Sequence, residues 1–120
     1  MYKFEKLEVW QLSLDYCDMI YKIVPKLPKT EEFNLKSQII RAATSVSLNI
    51  AEGSTGQSDA EQNRFLGMAL RSLIETAACM KLIERHKYIE KQDIAALYEF
   101  SEKLFAKLTA FRKAIKNDGR

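Results

Sequence analysis

Helix breakers are scarce in this chain of 120 residues, which has 2 Pro and 4 Gly, with the prolines close together at Pro25 and Pro28. Leu, Ile, Ala, Lys and Glu dominate instead, so the composition favours helices. No strand pattern, internal repeat, low-complexity segment or interdomain linker is visible. No apolar run approaches the ~20 residues that a membrane span needs. The opening MYKFEKLEVW has early acids and no apolar signal core, so neither a secretory signal nor a membrane is expected and a cytoplasmic protein is. The 2 cysteines, Cys17 and Cys79, stand alone and are expected to be buried free thiols. The 1 histidine, His86, falls at an expected helix end with no ligand partner at a useful spacing. A di-metal bundle would need paired Glu-x-x-His motifs, and a Ser-His-Asp or Cys-His site would depend on that same histidine. Neither a metal nor a cofactor is therefore expected.

What the chain does have is a 47% hydrophobic composition, enough for a real core in a single domain spanning 1–120. Its net charge of +3 permits polyanion binding without demanding it. The distribution is more informative. Lys103, Lys107, Arg112, Lys113, Lys116 and Arg120 crowd the C-terminal segment, where Glu102 and Asp118 are the only acids. Arg85, Lys87 and Lys91, with His86, form a second group at the preceding turn. On charge alone a solvated helix face is the simpler explanation for both.

Hydrophobic periodicity predicts four helices. In the first, Leu7, Trp10, Leu14, Cys17, Tyr21 and Val24 form one face, and Leu12, Tyr16, Met19, Ile20 and Ile23 form a second stripe beside it. This apolar arc is wider than a monomeric bundle needs, which points to self-association. Val24-Pro25 should end the helix. Thr30 can cap the second, followed by Glu31 and Glu32, with Leu35, Ile39, Ala42, Ala43, Val46 and Ile50 facing inward. Gly53 and Gly56 should stop it, since either can take the left-handed conformation, and Ser58 with Glu61 should form a capping box for the third. The third helix presents Leu66, Ala69, Leu70, Leu73, Ala77, Met80 and Ile83. The fourth presents Ile94, Leu97, Leu104, Leu108, Phe111 and Ile115, with Asn117 and Gly119 as terminators. Short connections then imply an all-α, antiparallel up-down-up-down four-helix bundle.

One polar set interrupts this pattern. Arg41, Ser45, Asn49 and Glu52 share one side of the second helix, and Ser72 and Glu75 sit on the third. They are expected to form an interhelical hydrogen-bond network that fixes register, a plain solvated face being the alternative. GSTG at Gly53–Gly56 lacks the Lys-Ser/Thr ending and the preceding strand of a phosphate loop. Glu52 and Glu75 would make an acid/base pair only if the helices bring them together. A structural role is the simpler reading, because no other catalytic part accompanies them.

The residues Gln38, Arg41-Ala42-Ala43, Ser45-Val46, Asn49-Ile50-Ala51-Glu52-Gly53, Arg64-Phe65-Leu66, Ser72-Leu73-Ile74-Glu75 and Tyr88-Ile89, with the aromatic opening FEKLEVWQLSLDY, resemble the four-helix bundle proteins encoded in intervening sequences of bacterial large-subunit ribosomal RNA genes. The resemblance covers nearly the whole chain. It departs at Ser47, where the family often has Pro, and at Arg71, where it often has Gly. It implies a homopentameric barrel similar to the accessory variability protein of diversity-generating retroelements, which works with a reverse transcriptase and binds nucleic acid through a basic surface. A partner protein of that kind, self-association and nucleic acid are accordingly the expected partners. The leading expectation is a non-enzymatic oligomer that binds structured RNA through Arg85, Lys87, Lys103, Lys107, Arg112, Lys113 and Lys116. A homo-oligomeric protein-interaction scaffold competes with it, and an enzyme built on Glu52 and Glu75 stands a distant third.

Overall fold

A computed structural model describes residues 1–56 and 58–116, with the Lys116 side chain outside the description. The expected terminators Asn117 and Gly119, together with Asp118 and Arg120, also lie outside the described residues. Four helices, α1 (Glu8–Ile23), α2 (Leu35–Gly53), α3 (Asp59–Arg85) and α4 (Lys91–Lys116), make a rod of 48 × 21 × 21 Å. Each helix packs on its neighbour in sequence and α1 packs on α4, which closes the bundle. No strand occurs among the described residues. No described helix is long and apolar enough to cross a membrane.

The periodic residues of α2, α3 and α4 meet in one core. Ile39, Val46, Ile50, Leu66, Met80, Ile83, Leu104 and Leu108 are fully buried within it. In α1 the second stripe supplies most of the core. The core takes Val9, Ser13, Tyr16, Ile20 and Ile23, while Leu14 and Tyr21 of the expected main face are 38% and 54% exposed. Tyr16 explains the choice: its ring stacks on Phe100 and its hydroxyl finds a buried partner, so it can enter the core without an unpaired polar group.

Three local expectations are corrected. First, α2 starts at Leu35, not after Thr30, and Lys29–Glu31 forms a 3-10 turn instead. The Glu31 carboxylate accepts from Asn34 Nδ2 and from the Tyr88 hydroxyl, both at 3.0 Å, so this acid holds a turn and does not start a helix. Second, Gly53 is the last residue of α2 and only Gly56 has positive φ, +89°, among the described glycines. A Cβ on Gly53 would meet Phe65 Cβ at 3.0 Å, so close approach of α3 is what requires glycine there. Third, only half of the capping box forms. Ser58 Oγ accepts from the Glu61 amide at 3.1 Å, while the Glu61 carboxylate pairs with Arg64 at 2.8 Å.

Candidate nucleic-acid interface

The polar set on α2 divides in two. Ser72 Oγ donates to Ser45 Oγ at 2.9 Å across the α2–α3 seam, and Asn49 Nδ2 donates to Ser45 Oγ at 3.0 Å and to the Ser45 carbonyl at 2.9 Å. Ser45 is thus a double acceptor that joins the helices. Arg41, Glu52 and Glu75 are corrections to the expected network. All three are exposed and make no hydrogen bond or ion pair among the described residues. Following the ~100° step per residue around α2, Arg41 and Glu52 lie on the side of Ser45 away from Asn49, and both side chains are exposed.

Two deeper hydroxyl chains were not expected. Thr76 Oγ1 donates to the Leu73 carbonyl at 2.6 Å, so the buried Tyr16 hydroxyl must be the donor in its 2.6 Å bond to Thr76. Burial pushes the Tyr16 phenol far up from its usual range. Ser47 donates to Ser13 at 2.9 Å, and Ser13 donates to the Trp10 carbonyl at 2.7 Å. Ser47, where the resemblance leads to an expectation of proline in many relatives, therefore ties α2 to α1. The Cys17 thiol points at the Ala43 carbonyl, 3.4 Å away, and burial raises the pKa values of Cys17 and Cys79. Cys79 is buried and Cys17 half-buried, and both are free. Small hydroxyls at inward positions of α1 and α3, Ser13 and Thr76, were the available sequence signal.

The basic residues do not form one patch. On α4, Lys103 and Lys107 lie on the α1 side, where Lys107 Nζ stands 3.5 Å from Glu8. Arg112 lies on the opposite, α3 side and is half-buried: its Nε donates to Asn63 Oδ1 and its guanidinium covers Gly67. The expectation that Arg112 points outward is therefore corrected, because glycine at 67 leaves a shelf that the guanidinium fills. Arg71, by contrast, is exposed. Lys103 and Lys113 are exposed, with the Lys103 ammonium 5.5 Å from the Phe100 ring centre, and neither makes an ion pair among the described residues. Among the described residues no group of His, Cys, Asp and Glu could hold a metal ion.

Arg85 and Lys87 sit at the other end of the rod, since the length of α4 puts about 33 Å between the α3–α4 turn and Lys113. This turn is a Schellman closure. Tyr88 N donates to the Ile83 carbonyl at 3.4 Å and Lys87 N to the Glu84 carbonyl at 3.0 Å, with Lys87 at φ 58°. His86 stacks on Tyr88 at 5.3 Å between ring centres, and Tyr88 is anchored to Glu31. The Asn34 amide and then the Tyr88 hydroxyl hold the Glu31 carboxyl below its ordinary range, and the Tyr88 phenol is raised in return.

This arrangement of four helices, with small residues and hydroxyls along the α2–α3 seam, is matched over residues 5–110 by the family described as 23S rRNA-intervening sequence protein. The chain belongs to that family. A solved structure from Bacteroides thetaiotaomicron VPI-5482, described as a protein with unknown function from the S23 ribosomal protein family, shares the fold with a TM-score of 0.81 at 28% identity. The match covers 88% of this chain and 98% of that one. No curated protein matches the chain. The exposed cations are thus divided between Lys103, Lys107 and Lys113 on α4 and Arg85 and Lys87 at the α3–α4 turn.

Proposed function

We propose that this protein is a non-enzymatic oligomer that binds nucleic acid, and structured RNA in particular, through lysines repeated around the assembly. The observation that carries the reading is the pair Lys103 and Lys113, exposed and free of ion pairs among the described residues, with Lys107 3.5 Å from an exposed Glu8. One chain at +3 attracts a polyanion weakly. Repetition in a ring makes the contacts multivalent, and each phosphate neutralised releases counterions. The family description, which names 23S rRNA, supports RNA as the polyanion. Self-association is supported by the surplus apolar arc of α1. Leu14 and Tyr21, seven residues apart on one side of α1, stay 38% and 54% exposed, and Leu48 on α2 is 55% exposed. A homopentamer is the assembly we propose.

Native mass spectrometry with and without a short RNA hairpin tests assembly and binding together. We expect an oligomer that takes up RNA, with affinity falling as salt rises. Lys103→Glu with Lys113→Glu should weaken binding to all sequences about equally and lower the salt slope by about two contacts per chain, because phosphate contacts carry no base information. Unchanged affinity in that variant would reject the lysine interface. An intact oligomer with no RNA affinity would favour a protein-interaction scaffold, for which exposed Ile74 and Phe105 offer apolar contacts.

A further inference from the structure

We infer that the α3–α4 turn is a second nucleic-acid contact of a different kind, which holds an unpaired base against the exposed His86 ring. The inference rests on the nucleic-acid reading above and assigns single-stranded segments to this end of the rod.

Four observations converge there. Arg85, His86, Lys87 and Tyr88 alternate cations with rings, and the His86 and Tyr88 rings stack with an interplanar angle of 18°. Tyr88 is the fixed inner member, because its hydroxyl donates to Glu31 at 3.0 Å, so the stack is preorganised before any ligand arrives. His86 is the exposed outer member and continues the stack toward solvent. Lys87, finally, occupies a left-handed conformation, φ 58°, in which glycine would be unstrained. That position is the C′ site of the Schellman closure, and it holds the Lys87 cation beside the exposed ring.

The charges around the turn favour phosphate. Glu84 lies 3.7 Å from Lys81, and Glu31 is held by Asn34 and Tyr88. Glu31, which keeps its charge while accepting from those neutral donors, and Glu90 face Arg85, Lys87 and Lys91, none of which makes an ion pair among the described residues, so the turn keeps a positive balance. Phe33, 95% exposed and two residues beyond Glu31, offers another bare ring at the same end. Every base has a π-face, so such a site takes unpaired nucleotides with little regard to sequence and has no use for a closed duplex. The lysines of α4 see phosphate alone and serve both.

The test compares a short oligouridine with a blunt-ended RNA duplex on the full chain. His86→Ala should weaken oligouridine binding about 10-fold, the effect of losing one stacked base, and leave the duplex unchanged. Lys87→Gly should lower the salt slope for oligouridine by about one while its Tm holds or rises, which separates a lost contact from a damaged fold. Oligouridine should also shift the His86 and Tyr88 ring proton resonances upfield. If both variants bind oligouridine like wild type while wild type binds both RNAs, the stacking site is overturned and the lysine interface stands. An equal loss on both RNAs in His86→Ala overturns the stacking site as well. Wild type binding neither RNA overturns both.

Discussion

Helix α3 packs on α2 and on α4 by opposite means. Its α2 side is built from the smallest groups: Gly53 against Phe65 with 3.0 Å of room for a Cβ, and hydroxyls Ser45 and Ser72 bonded at 2.9 Å. Its α4 side is built from long ones. Gly67 and Lys81, two heptads apart on α3, meet Arg112 and Tyr98, two heptads apart on α4. At one end of this ladder the Arg112 guanidinium lies over Gly67, 3.1 Å from where its Cβ would be. At the other the Lys81 ammonium lies 4.2 Å from the Tyr98 ring centre. The heptad spacing keeps both sets on one seam as the helices wind around each other. A short-range seam defines a single distance between helices. A long-range seam absorbs error, because flexible side chains can withdraw. Glycine therefore means different things at 53 and 67.

Substitution at these glycines gives the strongest break in the comparison. Gly53→Val forces branched carbons into Phe65 Cβ and the Gln62 carbonyl, and neither is the far end of a flexible chain. It should cost about 3 kcal/mol, read as a lower urea midpoint. Tyr16→Phe comes next. It removes the donor to Thr76 and should cost about 1 kcal/mol near neutral pH. The same residue gives a pH test. Its folded pKa is raised above the unfolded value of about 10, so its contribution is fully present below that pH and is lost as the pH climbs further. Wild type should lose stability steeply on the alkaline side, and Tyr16→Phe should flatten that limb in unfolding curves taken across the range. Ser45→Ala should cost about 1 kcal/mol, because Ser72 and Asn49 lose a shared acceptor at a half-buried site open to some water. Gly67→Ala is the smallest. A gain in helix propensity of about 1 kcal/mol offsets the displacement of the Arg112 tip, so Tm should change little or rise. If Gly67→Ala proved as damaging as Gly53→Val, the distinction between the seams would fail.

Sequence periodicity carried the bundle well where one apolar stripe was unambiguous. The inward faces of α2, α3 and α4 were legible because a single row of Leu, Ile and Ala recurs at helical spacing. For α1 it was not, because two stripes compete. The winner was settled by Thr76, 60 positions away, which accepts from Tyr16. Ser45, Asn49 and Ser72 were legible as neighbours from spacing, but Arg41 and Glu52 share that spacing and still miss the seam. Reach and angle, not face, decide such contacts. The basic residues were legible as a count and not as a surface. Arg112 turns inward because of Gly67, a residue on another helix that spacing within α4 could not reveal.

The direction of the Tyr16 bond has one more use. Its proton points at Thr76 in a place where neither residue has measurable exposure, and Thr76 spends its own proton on Leu73. Water can reach that hydroxyl only when α1 swings away from α3. Its exchange with deuterated solvent is therefore a clock for whole-bundle opening, free of the fraying that blurs backbone amides near helix ends. A slowly exchanging phenolic proton in the NMR spectrum would time how often this rod comes apart.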